Sequence, residues 1–499
     1  MVTRAHTVAF LGVEAKPVEV QCAFSPGLTA FNVVGLADKA VSESRERVRA
    51  ALNAIGLALP PQRITVNFSP ADLPKAGSHY DLPIALALMA AFELIPPEEI
   101  EAHVALGELS LDGEIRAVQG ALPTAIAAAA QDKGLICLAL CGREAAWVGA
   151  AEVLAPATLI DLVNHFPGRK ALTPPEPGPI SARRSAADLI DVKGQESARR
   201  ALEVAAAGGH HILMVGEPGS GKSMLASRLT GIMPPLTPEE PLEVSTIYSL
   251  AAQPGDGTIF KERPYRAPHH SASMPAMIGG GTQAKPDEIS LAHRGVLFLD
   301  ELPEFARPVL ESLRQPIETG EVVVSRATAH VRYPARFLLV AAMNPCRCGY
   351  LTDASRACSR APRCGADYAA RLSGPLIDRF DIRIEVPPVT PDMLSLPAHG
   401  ESSAKIGRQV VEARAAQAER MNGARLTNGE LEGEILDKVA TPDTPGLEVL
   451  RAAAAKLRFT ARGYHRVLRL ARTLADLEGS DAVRKVHVAE AVGYRRALG

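Results

Sequence analysis

The segment Gly216-Glu217-Pro218-Gly219-Ser220-Gly221-Lys222-Ser223 matches the pattern of a loop that wraps phosphate groups. An apolar run at residues 211–215 precedes it and reads as a buried strand, and residues 222–233 read as the helix that follows. Glycines in such a loop let backbone N–H groups turn inward onto phosphate oxygens, and the helix N-terminus adds its positive dipole end. In this arrangement Lys222 reaches the β- and γ-phosphates of ATP, and the Ser223 hydroxyl holds Mg²⁺.

Two further segments complete such a site. Val296-Leu-Phe-Leu-Asp-Glu301 begins 78 residues after Lys222 at its first acidic position. Four apolar residues suit a central strand, and carboxylates at its C-terminal end lie where ligands bind in open parallel sheets. Asp300 organises the Mg²⁺ shell in this reading, and Glu301 orients and polarises the attacking water. Phe337-Leu-Leu-Val-Ala-Ala-Met-Asn344 is a second buried strand ending in an amide, which can hold that water and sense the γ-phosphate; alternatively, Asn344 is a turn former ahead of Pro345.

Around these motifs the chain divides. Residues 167–187 carry five prolines and then Arg183 and Arg184, a composition that disfavours helix and sheet alike, so a linker is expected there. Residues 1–166 read as a mixed α/β domain, with strands at 18–24 and 64–67, a surface helix at 39–55, a buried helix at 81–94 and a helix in the alanine-rich stretch 121–130. Residues 188–390 alternate strands and helices, which predicts a parallel sheet covered by helices. Residues 391–499 read as a helical lid, clearest at 463–477, where Val467, Leu470, Ala471, Leu474 and Leu477 share a stripe.

Composition narrows the function. The 499 residues are 47% hydrophobic, enough for packed cores, and no apolar run reaches the about 18 residues that span a bilayer. Residues 1–10 lack the apolar core and cleavage site of a signal peptide, so a cytoplasmic protein without membrane contact is expected. A formal charge of −2 gives no global attraction for nucleic acid, so any DNA contact is local. Of seven cysteines, Cys22, Cys137 and Cys141 lie in apolar surroundings and read as core thiols. Cys346, Cys348, Cys358 and Cys364 cluster within nineteen residues. Four thiolates make a stable Zn²⁺ set, but the spacing is not that of a CxxC pair, and free or redox-active thiols are the other reading.

These pieces, in this order, resemble an AAA+ ATPase of the magnesium-chelatase branch, and the chain resembles the ComM (YifB) family of magnesium-chelatase-like proteins from end to end. The resemblance rests on Phe31-Asn-Val-Val-Gly-Leu36, Ser44-Arg-Glu-Arg-Val-Arg49, Arg63-Ile-Thr-Val-Asn67, Pro70-Ala-Asp-Leu-Pro-Lys75 and Tyr80-Asp-Leu-Pro-Ile84 near the N-terminus. Further on it rests on Arg266-Ala-Pro-His-His270, Ser325-Arg326, Leu372-Ser-Gly-Pro-Leu-Ile-Asp-Arg-Phe-Asp381 and Ala461-Arg-Gly-Tyr-His-Arg466. It implies a hexameric motor that drives branch migration of single-stranded or branched DNA, beside the recombination machinery, when incoming strands integrate during natural transformation. By motif, Arg379 is similar to an arginine finger that reaches a neighbour's ATP. Arg462 is similar to a second sensor contacting the γ-phosphate from the lid, with Arg466 the second choice one helical turn on.

The first domain resembles the Lon-protease (ribosomal S5 domain 2-like) α/β fold. In Pro74-Lys-Ala-Gly-Ser-His-Tyr80, His79 takes the nucleophile's place, Ser78 is one position off, and no lysine lies between Arg116 and Asp132. Without an activated nucleophile acyl transfer has no chemistry to run, so a binding or assembly module is expected. Two segments are DNA-contact candidates lining the pore of a ring: Arg266, His269 and His270, and a hairpin at 321–333 bearing Arg326, His330 and Arg332. The same residues serve equally as structural histidines and subunit-contact arginines. The rival functions are the ATPase subunit of a metal-inserting chelatase and a protein-remodelling unfoldase.

Overall fold

The structure is a computed structural model of the 499-residue chain. It describes all residues except 1, 36–37, 182–186, 252–256, 281–284, 326–329, 352, 354, 396–399, 425 and 496–499, and it leaves out the side chains of 325, 330 and 394.

The phosphate-loop strand Ile212–Val215 is the second-last member of a five-stranded sheet. In spatial order the strands are Tyr265–Arg266, Val296–Leu299, Leu338–Met343, Ile212–Val215 and Ile382–Glu385, and every pairing is parallel. Val296–Leu299 and Leu338–Met343 are buried throughout, which is what continuous apolar runs predict for strands covered on both faces. Met214, Phe298, Val340 and Ala342 face one apolar cluster, while Leu213, Leu297, Leu339 and Ala341 face another. The alternation follows from the period of 2 along a strand.

The helix after the phosphate loop is shorter than its sequence predicts. It runs Lys222–Arg228 and tightens into a 3₁₀ turn at Leu229–Gly231, where glycine weakens the helix ahead of Pro234 and Pro235. The hairpin appears as Glu321–Ser325 paired antiparallel with His330–Pro334. Arg326 lies outside the described residues, as does the side chain of His330.

A second, seven-stranded mixed sheet is built from residues 2–154. The helix Asp81–Ala91 crosses it and is buried on every side, as its uniformly apolar sequence requires. Its one charge, Asp81, meets Arg47 of the helix Lys39–Ala54: Nε and Nη2 donate to the two carboxylate oxygens at 2.6 and 3.0 Å. The Leu109 N–H adds a third bond, though burial still outweighs these partners and raises the carboxyl's pKa. Cys22, Cys137 and Cys141 are buried thiols of this region, as expected.

Residues 167–177 form no helix or strand, and the first sheet's region touches the motor around them. The Gly120 N–H donates to the Ser249 carbonyl at 3.1 Å, and Trp147 Nε1–H to the Gly257 carbonyl at 3.2 Å. The C-terminal region is helical: Ser403–Arg420, Gly433–Ala440, Thr444–Leu457, Ala461–Leu477 and Lys485–Gly493. Val467, Leu470, Ala471 and Leu474 are buried as one stripe in the cluster that also holds the motor helix Glu196–Gly208. Beneath them Asp476 collects Asn428, Arg420 and Arg472 in a buried polar network.

Removing the carboxylate in Asp81→Ala strands Arg47 beside a dry helix and should cost about 3–5 kcal/mol, whereas Arg47→Met/Asp81→Leu should cost much less. Hydrogen exchange of peptides covering Asp81–Ala91 measures both.

Candidate nucleotide site and the arginines across the sheet

The phosphate loop is wound as its glycines allow. Gly219 and Gly221 take φ of +79° and +92°, a region that disfavours side chains. Gly216 lies so close to the Val386 carbonyl that a Cβ would come within 2.3 Å of its oxygen. Lys222 is buried, and its ammonium donates to the carbonyls of Gly216 and Glu217, both at 2.8 Å, and to Asn344 Oδ1 at 3.2 Å. Burial lowers its pKa, opposed by Asp300, Glu217 and Glu301. Ser223 Oγ donates to Asp300 Oδ2 at 2.7 Å. These are hard oxygen donors of the kind Mg²⁺ takes, and they converge beside the loop, so the pair fits the ion.

Glu301 holds a left-handed backbone at φ +51°, costly for a residue with a side chain. That turn carries the carboxylate out of the sheet, where it is half exposed and its Oε2 lies 3.1 Å from His270 Nδ1. The His270 ring lies 4.1 Å from that of His269, tilted by 34°, and His269 Nδ1 meets Ser271 Oγ at 2.8 Å. Arg266 forks onto Glu288, with Nε at 2.7 Å from Oε2. Of the candidate DNA contacts, Arg266 is thus paired inside the motor and His270 touches the carboxylate of Glu301. Arg332 is exposed, 3.8 Å from Glu321. The spacing of these residues carried no signal for the His270–Glu301 contact, although both lay in motifs already singled out.

Arg379 and Arg462 lie elsewhere. The Asp381 N–H donates to the carbonyl of His211, the residue just before the phosphate-loop strand. Arg379, two residues earlier, therefore sits at the amino edge of the sheet, while Gly216 sits at the carboxyl edge. About 16 Å of strand separates them, more than an arginine side chain spans. Arg379 is 5% exposed; its guanidinium pairs with Glu318 and donates to the Pro375 carbonyl at 2.7 Å. Arg466 donates to the Arg379 carbonyl at 2.9 Å and to Asp381 Oδ1 at 2.5 Å, and so clamps the segment 379–381. His210 and Arg466 hold the buried Asp381 carboxyl well below the usual carboxylate range despite the opposing cost of burial. Arg462 is exposed at the start of Ala461–Leu477. It lines, with Arg379, a cavity of about 1000 Å³ between the lid helices and the amino edge of the sheet. Eight arginines face that cavity against five carboxylates, a positive surface suited to phosphate. No residue of 216–223 reaches it.

In the first domain, Ser78 Oγ donates to the Glu108 carboxylate, and the buried His79 puts Nε2 3.0 Å from the Val8 carbonyl. Burial pulls the His79 pKa down to about 4.

ATP with Mg²⁺ should raise the melting temperature of the chain, corresponding to about 2.7 kcal/mol at a hundredfold excess over Kd. Thermal denaturation should show that shift kept in Glu301→Gln and lost in Lys222→Ala.

Three family models match the chain in order: subunit ChlI of Mg-chelatase over residues 18–139, magnesium chelatase subunit ChlI over 188–394, and its C-terminal region over 400–495. Competence protein ComM of Haemophilus influenzae is 42% identical over 496 residues, covering 98% of this chain and 96% of that protein. The uncharacterized protein YifB of Escherichia coli is 42% identical over 491 residues, with coverage of 98% and 96%. The magnesium-chelatase 38 kDa subunit of Rhodobacter capsulatus is 26% identical over 321 residues, 60% of this chain and 83% of that protein. With its three segments matched in sequence and the five-stranded sheet built around the phosphate loop, the chain belongs to the ComM/YifB family of magnesium-chelatase-like AAA+ ATPases.

Proposed function

We propose that the chain is an ATP-driven DNA motor that works as a hexameric ring and promotes branch migration when incoming DNA is integrated in natural transformation and homologous recombination. The observation that carries this reading is the likeness to competence protein ComM along 98% of the chain, where the chelatase subunit aligns with 60%. The separation of Arg379 and Arg462 from their own phosphate loop supports assembly. A neighbouring copy that presents its amino edge to this chain's carboxyl edge would bring both arginines to ATP, Arg379 exchanging Glu318 for the γ-phosphate. Arg462 then senses a neighbour's nucleotide rather than its own.

Within one site, Lys222 orients the β- and γ-phosphates, Ser223 and Asp300 supply oxygens for Mg²⁺, and Glu301 accepts a proton from the water that attacks the γ-phosphorus. Asn344 positions that water. His270 beside Glu301 keeps the carboxylate turned away from the phosphate until nucleotide enters. DNA, single-stranded or branched, meets the hairpin that bears Arg326, His330 and Arg332.

Glu301→Gln should keep ATP binding and lower turnover by about 10²–10⁴-fold, measured as phosphate release. The function itself is tested by adding single-stranded DNA, a chelatase partner or unfolded protein to the hydrolysis assay. A rise with DNA alone is expected. Stimulation by the chelatase partner or by unfolded protein, with none from DNA, contradicts the motor reading.

A further inference from the structure

Between the strand Leu338–Met343 and the helix Arg363–Ala369 the described residues form a loop with no helix or strand. Its described residues from 345 to 362 place a single side chain, Cys346, in the buried apolar core, and none in the large hydrophobic clusters. Burial alone therefore does not fold it. Its path is nonetheless closely fitted. Gly349, at φ +89°, lies against the phosphate loop, where a Cβ would fall 2.5 Å from Pro218 Cγ.

Three of the four cysteines meet where this loop joins the helix. Cys346 Sγ lies 2.9 Å from Cys348 Sγ, and the sulfurs of Cys346, Cys348 and Cys364 all fall within 4.8 Å of one another. Cys358 lies near Cys348 and Cys364 but outside that mutual group. The 2.9 Å separation exceeds the about 2.05 Å of a disulfide. A group this compact has room for the about 3.8 Å edge of a tetrahedron with Zn–S bonds of about 2.3 Å. The backbone turns tightly at the first pair, where the Gly349 N–H donates to the Cys346 carbonyl at 3.0 Å.

We infer that Cys346, Cys348, Cys358 and Cys364 hold a structural zinc ion that fastens this loop to the phosphate-binding loop. Four soft thiolates select Zn²⁺ over the Mg²⁺ that serves the nucleotide, and four protein ligands leave no position open for a reacting water. The link to the nucleotide site runs through Arg356, which sits between the second and third ligands. Its guanidinium stacks 4.2 Å from the Tyr350 ring, pairs with Asp353 at 2.5 Å and donates to Glu217 Oε2 of the phosphate loop at 3.0 Å. Asn344, which accepts from Lys222, lies two residues before the first ligand. The metal thus holds both approaches to the phosphates. This link rests on the ATP-site reading; the metal itself does not.

Elemental analysis of the full chain, purified without chelator, should find about one zinc per chain. A mercurial should release it, read with a chromogenic chelator, and Cys358→Ser/Cys364→Ser should lose it. Should that variant fail to fold, mercurial release from the unaltered chain still decides. A metal-free protein whose four thiols alkylate under native conditions, or whose mass shows paired disulfides, overturns the site. Arg356→Ala should keep its zinc while KM for ATP rises severalfold. Zinc kept with KM unchanged overturns the link, whereas an unaltered chain that holds zinc and hydrolyses no ATP counts against the ATPase reading alone.

Discussion

Parallel pairing of Ile212–Val215 with Leu338–Met343 on one side and Ile382–Glu385 on the other sets the polarity of the whole nucleotide site. Because these three strands and Val296–Leu299 all point the same way, their carboxyl ends gather the phosphate loop, Asp300, Glu301 and Asn344 at one edge. Their amino ends gather His210, His211, Asp381 and Arg379 at the other. A strand of four residues is short, yet longer than any side chain. On the proposed reading this is why a single copy carries every part of a nucleotide site but cannot bring its own arginines to its own ATP.

The amino edge is also where the lid is fixed. His210 joins Asp381 at 3.3 Å and Thr473 of the lid helix at 2.8 Å, and Arg466 of the same helix grips Asp381. The buried Asp381 carboxylate is paired with Arg466 and His210, and breaking one partner of such a set is far more costly than the set is stabilising. These contacts tie the helix Ala461–Leu477, the segment 379–381 and the root of the phosphate-loop strand together. At the carboxyl edge the contacts are of another kind. Lys222, Ser223 and Glu301 are satisfied by carbonyls, Asp300 and His270, partners that a triphosphate and its ion can replace.

The sequence exposed what local chemistry encodes. Glycine at 219 and 221 signals positive φ, Val296–Leu299 reads as a buried strand from four apolar residues, and the stripe from Val467 to Leu474 reads as one helix face. The fold class and the ATP motifs follow from such signals, which act over a few residues. The pairings that give the site its character join distant residues: Arg356 to Glu217 across 139 positions, Arg466 to Asp381 across 85 and Arg379 to Glu318 across 61. No periodicity marks them, because each is set by how strands and helices dock. The same limit applied to Arg462, whose motif was legible while its side of the sheet was not.

Mixing two inactive variants tests the trans arrangement directly. Lys222→Ala removes the phosphate grip but leaves its arginines intact, and Arg379→Ala does the reverse. Each alone should fail to hydrolyse ATP. In mixed rings, sites that combine an intact loop from one copy with an intact Arg379 from the next should recover a measurable fraction of the unaltered rate. Mixtures no more active than either variant, alongside concentration-independent hydrolysis by isolated single chains of the unaltered protein, would contradict the account.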